Sequence, residues 1–286
     1  MTAVLRCTPD WPRFAGADWP ATVMTVAATD KLHEKQGRAI ARWTLTDSTG
    51  STMVVFLKRH YVLPARDGLM TKCFPGRAWS PGLCEWENLE WAKAEGFPVP
   101  RAVAAGEFRG PGLKLQSFLA VEELADMLPL HQAVPQAFAT LPEAEFNTWK
   151  RGLFAELARL SRELHRRRMF HKDLYFCHFY IRAADTEVSP DSWANRVTMI
   201  DFHRLARHRL GWQWYVVKDM GQLLYSSNVP GVTDADREFI WGSYLNGDWG
   251  NVDPPPAWLK SPVLAKARRY QRHHDKHTST PAATPA

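Results

Sequence analysis

The feature that most constrains this chain is a long amphipathic stretch that runs without a break into a short charged loop. From Glu143 to Arg168, the residues Phe146, Trp149, Leu153, Phe154, Leu157, Leu160 and Leu164 recur on one side at helical spacing. Such a stripe predicts a buried helix at the centre of a mostly helical unit. Its last turn, Arg166-Arg167-Arg168, sets cations at the carbonyl end of the helix dipole. The loop follows at once: Phe170-His171-Lys172-Asp173-Leu174-Tyr175-Phe176-Cys177-His178-Phe179-Tyr180. Two runs of strand character flank it, 179–181 and 197–202, with a polar excursion over 184–195 between them.

Upstream, the chain reads as a meander. Thr22–Val26 is rich in β-branched residues, Ala39–Leu45 alternates apolar with polar, and Thr52–Lys58 follows the turn signal Asp47-Ser-Thr-Gly50. The polar connection Asp30–Arg38 between the first two carries one glycine, Gly37. Tyr61–Gly82 reads as loop. Leu83–Glu95 turns helical on Leu83, Trp86 and Leu89, ending at Gly96, Pro98 and Pro100. Leu113–Val121 resumes strand character, and a looser region follows to Pro142. Downstream of Arg209, stripes over 217–224 and 239–244 predict two helices, and Trp258–Arg272 a last one. The end, 273–286, is polar and rich in Pro, Ala and Thr, and is expected to be disordered.

Composition narrows the class. With 286 residues, 45% hydrophobic and 23% charged, the chain has core enough for one large domain or two lobes. No apolar run is long enough for a bilayer span, and the first residues lack a signal-peptide pattern. Four scattered cysteines show no zinc or C-x-x-C spacing and read as free thiols, so a cytoplasmic protein is expected. The net charge of +6 is partly clustered, at Arg166–Arg168, at Arg204, Arg207 and Arg209, and at Arg268-Arg269. That suits a phosphate-rich or anionic membrane partner. Without a nucleic-acid-binding signature, nucleic acid is not expected.

The loop His171-Lys172-Asp173-Leu174-x-x-x-His178 keeps the register of H-R-D-L-x-x-x-N, the catalytic loop of protein kinases, with His178 in place of the metal-binding Asn. The other parts of a phosphoryl-transfer site stand in order around it. Val54-Val-Phe-Leu-Lys58 ends a strand in a lysine, and Glu85 or Glu87 on the next helix can pair with it; Glu85, four residues before Leu89, is preferred. Glu122-Glu123-Leu124 is a candidate hinge whose backbone could bind adenine, and Asp201-Phe202-His203 stands in the D-F-G place. There is no Walker A loop, H-E-x-x-H, G-x-S-x-G or G-x-G-x-x-G.

His171-Lys-Asp-Leu-Tyr-Phe-Cys-His-Phe-Tyr180 resembles the hallmark of the lipopolysaccharide core heptose kinases, the Kdo/WaaP family. Phe56-Leu-Lys-Arg-His-Tyr61, Glu85-Trp-Glu-Asn-Leu89, Ile200-Asp-Phe-His-Arg204 and Val217-Lys-Asp-Met220 agree with it. The resemblance implies an α+β, two-lobed protein-kinase-like fold: a small antiparallel-sheet lobe with one helix over 1–121, and a larger, mostly helical lobe over 122–272. It implies ATP-dependent phosphorylation of a heptose of the lipopolysaccharide inner core, a glycolipid acceptor, at the cytoplasmic face of the inner membrane. Asp173 then stands as catalytic base, with Lys58 and His171 in the catalytic set. Asp201 and His178 stand as ligands of Mg2+ or Mn2+, and Asp219 as the brace of the catalytic loop. ATP falls to Lys58, Glu85, Glu122 and Leu124, with Lys35 or Arg38 replacing a glycine-rich loop by side-chain charge. His178 has two other readings, as a hydrogen-bond donor to phosphate or as a packed residue. The rival functions are a kinase for another sugar, small molecule or protein, and a non-catalytic kinase-like binding protein.

Overall fold

The computed structural model describes residues 2–27, 30–35 and 37–278. The chain divides into two compact units, Met1–Ala125 and Asp126–Ala286.

The first unit comprises β1 (Thr2–Cys7), α1 (Trp11–Ala15), α2 (Trp19–Thr22), β2 (Asp30–Lys35), β3 (Arg38–Thr46), β4 (Thr52–His60), α3 (Ala65–Cys73), α4 (Pro81–Ala94), β5 (Ala102–Arg109) and β6 (Leu115–Glu122). Its six strands form one sheet in the order β1-β5-β6-β4-β3-β2, each neighbour antiparallel. In β4 the alternation is strict. Met53, Val55 and Leu57 are buried in a core with Trp11, Trp19, Trp43 and Phe118. Lys58 sits one position along, on the other face. The three tryptophans meet edge to face, Trp11 to Trp19 at 6.2 Å and Trp11 to Trp43 at 5.9 Å between ring centroids.

Several expectations are corrected here. Thr22–Val26 is not a strand. Pro20 opens α2, and Trp19 and Val23, four residues apart, are both buried, so core packing overrides the β-branched composition. The Asp30–Arg38 connection is instead β2 and a tight turn into β3, with Gly37 at φ 75° supplying the left-handed residue that the turn requires. The expected loop 61–82 contains α3, so the first unit holds four helices rather than one. The alanine-rich β5 was not expected as a strand at all. Its composition is poor in β-formers, but residues 102–107 are buried throughout.

The second unit comprises β7 (Met127–Pro129), α5 (Leu130–Thr140), α6 (Glu143–Arg166), β8 (Met169–Phe170), β9 (Phe179–Arg182), β10 (Thr198–Met199), β11 (Ala206–Arg207), α7 (Trp212–Ser226), α8 (Asp234–Leu245) and α9 (Lys260–Thr278). Every residue of the expected α6 stripe is buried, and Trp149 donates its indole N–H to the Asp185 carbonyl at 2.6 Å. The looser region before Pro142 is in fact α5, whose buried Leu130, Ala133, Val134 and Ala137 recur at helical spacing around an internal Pro135. The final helix is longer than expected and continues through 273–278, while residues 279–286 lie outside the described ones. Small sheets β10-β9-β7 and β11-β8 hold the ends of the loop that α6 delivers. Among the described residues no helix is long and apolar enough to cross a membrane.

The placement of α4 depends on close approach at Gly82. A Cβ there would overlap the Phe118 carbonyl of β6, and the Gly82 N–H donates to Ser117 Oγ at 3.4 Å. Gly82→Ala is therefore expected to lower stability by about 1–3 kcal/mol, the range of overpacking substitutions. Gly76→Ala, with no heavy atom within 4 Å of the added carbon, should be silent. Thermal unfolding of the two variants checks this.

Candidate active site

The site residues fall into two sets, one in each unit. In the first, the alternation of β4 carries Lys58 off the tryptophan core, and α4 meets it with Glu85. Lys58 Nζ donates to Glu85 Oε1 at 2.7 Å, and the Glu85 side chain is only 6% exposed. Glu87 lies on the exposed side of the same helix, so the lysine's partner is Glu85. A carboxylate this buried is costly without its cation: removing one member of such a pair typically costs about 3–5 kcal/mol. Arg38 is exposed at the start of β3, opposite Lys35 and His60 in register. The Lys35 side chain lies outside the described residues. Glu122, at the end of β6, accepts from Arg101 at 3.1 Å, and Glu123 holds Arg42 by two hydrogen bonds of 2.6 and 2.8 Å. Leu124 follows, half-buried, at the end of the unit.

In the second unit, α7 acts as a template for the loop over 171–178. Three side chains on one face of it, Asp219, Gln222 and Ser226, accept backbone N–H groups from the loop. Asp219 Oδ2 takes His171 N–H and Oδ1 takes Lys172 N–H, both at 2.8 Å. Gln222 Oε1 takes Leu174 N–H at 3.2 Å, and Ser226 Oγ takes Phe176 N–H at 2.8 Å. Asp219 is fully buried, with His165 Nε2 3.3 Å from Oδ2. His165 in turn meets the hydroxyl of Tyr244, from α8, at 2.8 Å. The loop needs this support, because Lys172 sits at φ 64°, in the left-handed region; Asp201, outside the loop, sits at φ 65°.

So held, the loop presents Asp173, whose side chain is 15% exposed. Arg204 Nη1 donates to both carboxylate oxygens, at 3.0 and 3.1 Å, and Lys218 Nζ stands 3.9 Å away. Burial, with Arg204 and Lys218 as neighbouring cations, pushes the Lys172 ammonium below the usual lysine range. Burial, then Arg204, does the same to Lys218. His203 bridges the two aspartates, with Nδ1 2.7 Å from Asp201 Oδ1 and Nε2 3.9 Å from Asp173 Oδ2.

His178 is oriented by the same loop. Its Nδ1 lies 2.7 Å from the Asp173 carbonyl, which can only accept, so that nitrogen carries a proton and, in the neutral ring, the lone pair is on Nε2. Nε2 faces Asp201 Oδ2 at 3.7 Å. A lone pair beside a carboxylate, with the ring fixed from behind by a carbonyl, is the donor chemistry of a divalent-cation site. Among the described residues no three His, Cys, Asp or Glu side chains gather as a fuller cage. The pair therefore fits an ion that completes its shell with phosphate and water oxygens.

His171 has a different place from the one expected of a catalytic group. Its ring is fully buried, Nε2 is 3.0 Å from the Ile200 carbonyl, and Phe202 packs edge-on at 5.1 Å. A ring so enclosed does not touch a substrate; it ties the loop to the Ile200 carbonyl, between β10 and Asp201. The Arg166–Arg168 cluster is also spent internally. Arg166 and Arg167 pair with Glu163, and the Arg168 guanidinium lies 3.9 Å over the Trp212 ring. Sequence reasoning did not assign His203, Lys218, Gln222 or Ser226, and saw Arg204 only as part of a charge cluster. Their helical spacing, three residues from Asp219 to Gln222 and four more to Ser226, was the available signal for Gln222 and Ser226.

Comparison with known proteins now decides the family. Residues 28–244 match the model of the Lipopolysaccharide kinase (Kdo/WaaP) family. The chain belongs to that family, and it is a kinase. Over 195 residues it is 30% identical to the lipopolysaccharide core heptose(I) kinase WaaP of Pseudomonas aeruginosa, covering 67% of this chain and 70% of that one. Over 158 residues it is 27% identical to the WaaP of Escherichia coli K12, covering 55% and 56%. Among solved structures it is similar to WaaP in complex with acyl carrier protein, at TM-score 0.66 and 23% identity over 93% of this chain and 98% of that one. That likeness establishes the kinase-like α+β fold.

The burial of His171 has a consequence for stability. Desolvation depresses its pKa, so the folded protein keeps the ring neutral where the unfolded chain would protonate it. Below about pH 6.5 the unfolded state then binds more protons. This contribution is complete above that pH and is lost as pH falls. His208, also depressed by burial, adds with the same sign. The thermal midpoint is expected to fall between about pH 7 and about pH 5, and less steeply in His171→Gln, whose amide can keep the bond to Ile200. Calorimetry across that range checks it.

Proposed function

We propose that this kinase transfers the γ-phosphoryl group of ATP to a heptose hydroxyl of the lipopolysaccharide inner core, with Asp173 as the base. Two supports for the acceptor class are the family and the heptose kinases among its relatives. The observation that carries the chemistry is Asp173 itself: a carboxylate on a loop pinned through four backbone N–H groups, with Arg204 and Lys218 beside it. Phosphoryl transfer asks a protein chiefly for position and compensating charge, and this arrangement offers both.

In the proposed step, an Asp173 oxygen accepts the proton of the acceptor hydroxyl as its oxygen bonds to the γ-phosphorus. The bond from the γ-phosphorus to the β–γ bridging oxygen breaks, and ADP leaves with that electron pair. Lys58, oriented by Glu85, is assigned to the nucleotide phosphates. Asp201 Oδ2 and His178 Nε2 are assigned to a divalent cation, which when bound would offset phosphate charge. The nitrogen donor suits manganese better than magnesium, which prefers an all-oxygen shell. Arg38 and the backbone around Leu124 are assigned supporting parts in nucleotide binding. The reaction is placed at the cytoplasmic face of the inner membrane, where a lipid-anchored acceptor and ATP meet.

The test is transfer of labelled phosphate from ATP, with heptose-containing core lipopolysaccharide, free sugars and unrelated proteins offered in parallel. Label is expected on the core lipopolysaccharide. Asp173→Asn should cut that transfer by on the order of 10²–10⁴ while ATP still binds. Label on free sugar or protein alone would reject the acceptor, and near wild-type turnover in folded Asp173→Asn would reject the base.

A further inference from the structure

With Arg166, Arg167 and Arg168 engaged inside the second unit and Arg204 paired with Asp173, the basic segment that follows Asp201 still faces solvent. Between Asp201 and Asp219 the sequence has no acidic residue, but it holds Arg204, Arg207, Arg209 and Lys218. Arg207 and Arg209 are exposed, with no carboxylate partner among the described residues. Just beyond them stand Leu210, 91% exposed, and Trp214, 77% exposed. These are the two most exposed large apolar side chains among the described residues.

This exposure is built rather than accidental. The segment is fixed from beneath: β11 pairs with β8 through Ala206–Phe170 and Arg207–Met169, and His208 N–H donates to the Arg168 carbonyl at 2.9 Å. His208 stacks on Tyr215 at 3.6 Å and 11° between ring planes, and Arg168 covers Trp212. Gly211, at φ 62°, turns the chain into α7. The intervening rings are thus pinned to the unit, while Leu210 and Trp214 are left on the outside.

We infer that Arg207, Arg209, Leu210 and Trp214 form a docking wedge for an anionic lipid bilayer. Arginines meet lipid phosphates, the leucine enters the acyl boundary, and tryptophan suits the headgroup level. A protein partner would need a shaped apolar pocket for each tip beside its acidic groups, whereas an anionic bilayer interface accommodates both without one. The wedge is joined to the catalytic loop by backbone, because β8 runs directly into His171-Lys172-Asp173. Docking there would hold Asp173 near the headgroups of a lipid-anchored acceptor. Only that purpose rests on the proposed function; the binding itself does not.

The experiment is co-sedimentation of the full chain with vesicles of phosphatidylethanolamine containing about a quarter phosphatidylglycerol, against vesicles of phosphatidylcholine alone. The protein should pellet with the anionic vesicles and much less with the neutral ones. Binding should fall by about fivefold for each of Arg207→Gln and Arg209→Gln, and by at least about tenfold for Leu210→Ser with Trp214→Ser. Circular dichroism and thermal unfolding show that each variant is folded. Absence of anionic-vesicle binding in the wild type, or wild-type binding in the double Ser variant, overturns the wedge. So does capture of purified acyl carrier protein by the wild type that the double Ser variant loses while its vesicle binding stays intact, which would make the segment a protein-docking surface. Transfer to a deacylated, water-soluble core acceptor separates the two readings. The double Ser variant should match the wild type on it, and a wild type inactive on every core acceptor would reject the proposed function while leaving the vesicle result standing.

Discussion

The second unit depends on one buried carboxylate. Asp219 is fully desolvated, and its charge is met by the backbone N–H groups of His171 and Lys172 and by His165. Hydrogen bonds to a charged group contribute about 1.5–3 kcal/mol each. A left-handed non-glycine residue such as Lys172 costs about 1–3 kcal/mol. The two N–H bonds therefore outweigh the strain they stabilise. The same carboxylate links α6, through His165, to α7 and the loop, so the active geometry follows from the packing of the helices.

The first unit solves a related problem with the opposite charge pattern. Strand alternation in β4 sends Leu57 into the tryptophan core and leaves Lys58 on the other face, where only a buried acid makes a half-buried ammonium tolerable. Glu85 fills that need because Gly82 lets α4 lie against the Phe118 carbonyl of β6. A glycine with no chemistry of its own thus sets where the charge pair forms. In each unit the functional charge is placed by a neighbour that would be unstable without it.

What the sequence disclosed and what it hid divide along physical lines. The α6 stripe, α4, β3, β4 and β6 were legible because period and composition agreed. Lys58, Asp173, Asp201 and Asp219 were singled out because their motifs stand in a fixed order along the chain, and the structure pairs Lys58 with Glu85 and sets Asp219 on the loop's backbone N–H groups. Elements set by tertiary packing were not legible: Thr22–Val26 looked like a strand until Trp19 and Val23 claimed the core, and β5 carries three alanines and a glycine among its eight residues. His171 looked catalytic from its neighbour in the motif, yet burial reserves it for support. The basic clusters looked alike in sequence, and only ion pairing distinguishes the engaged Arg166–Arg168 from the exposed Arg207 and Arg209.

The central claim is that the Asp219 carboxylate holds Asp173 in its working position. Asp219→Asn tests it directly, because the carboxamide keeps the shape but turns one acceptor into a donor facing a backbone N–H. Steady-state kinetics of phosphoryl transfer to the core acceptor should show kcat reduced about tenfold to a hundredfold, the equivalent of one charge-assisted hydrogen bond. The KM for ATP should stay near wild type, since the Lys58–Glu85 pair is made within the first unit. An unchanged kcat in a folded Asp219→Asn protein would contradict the account.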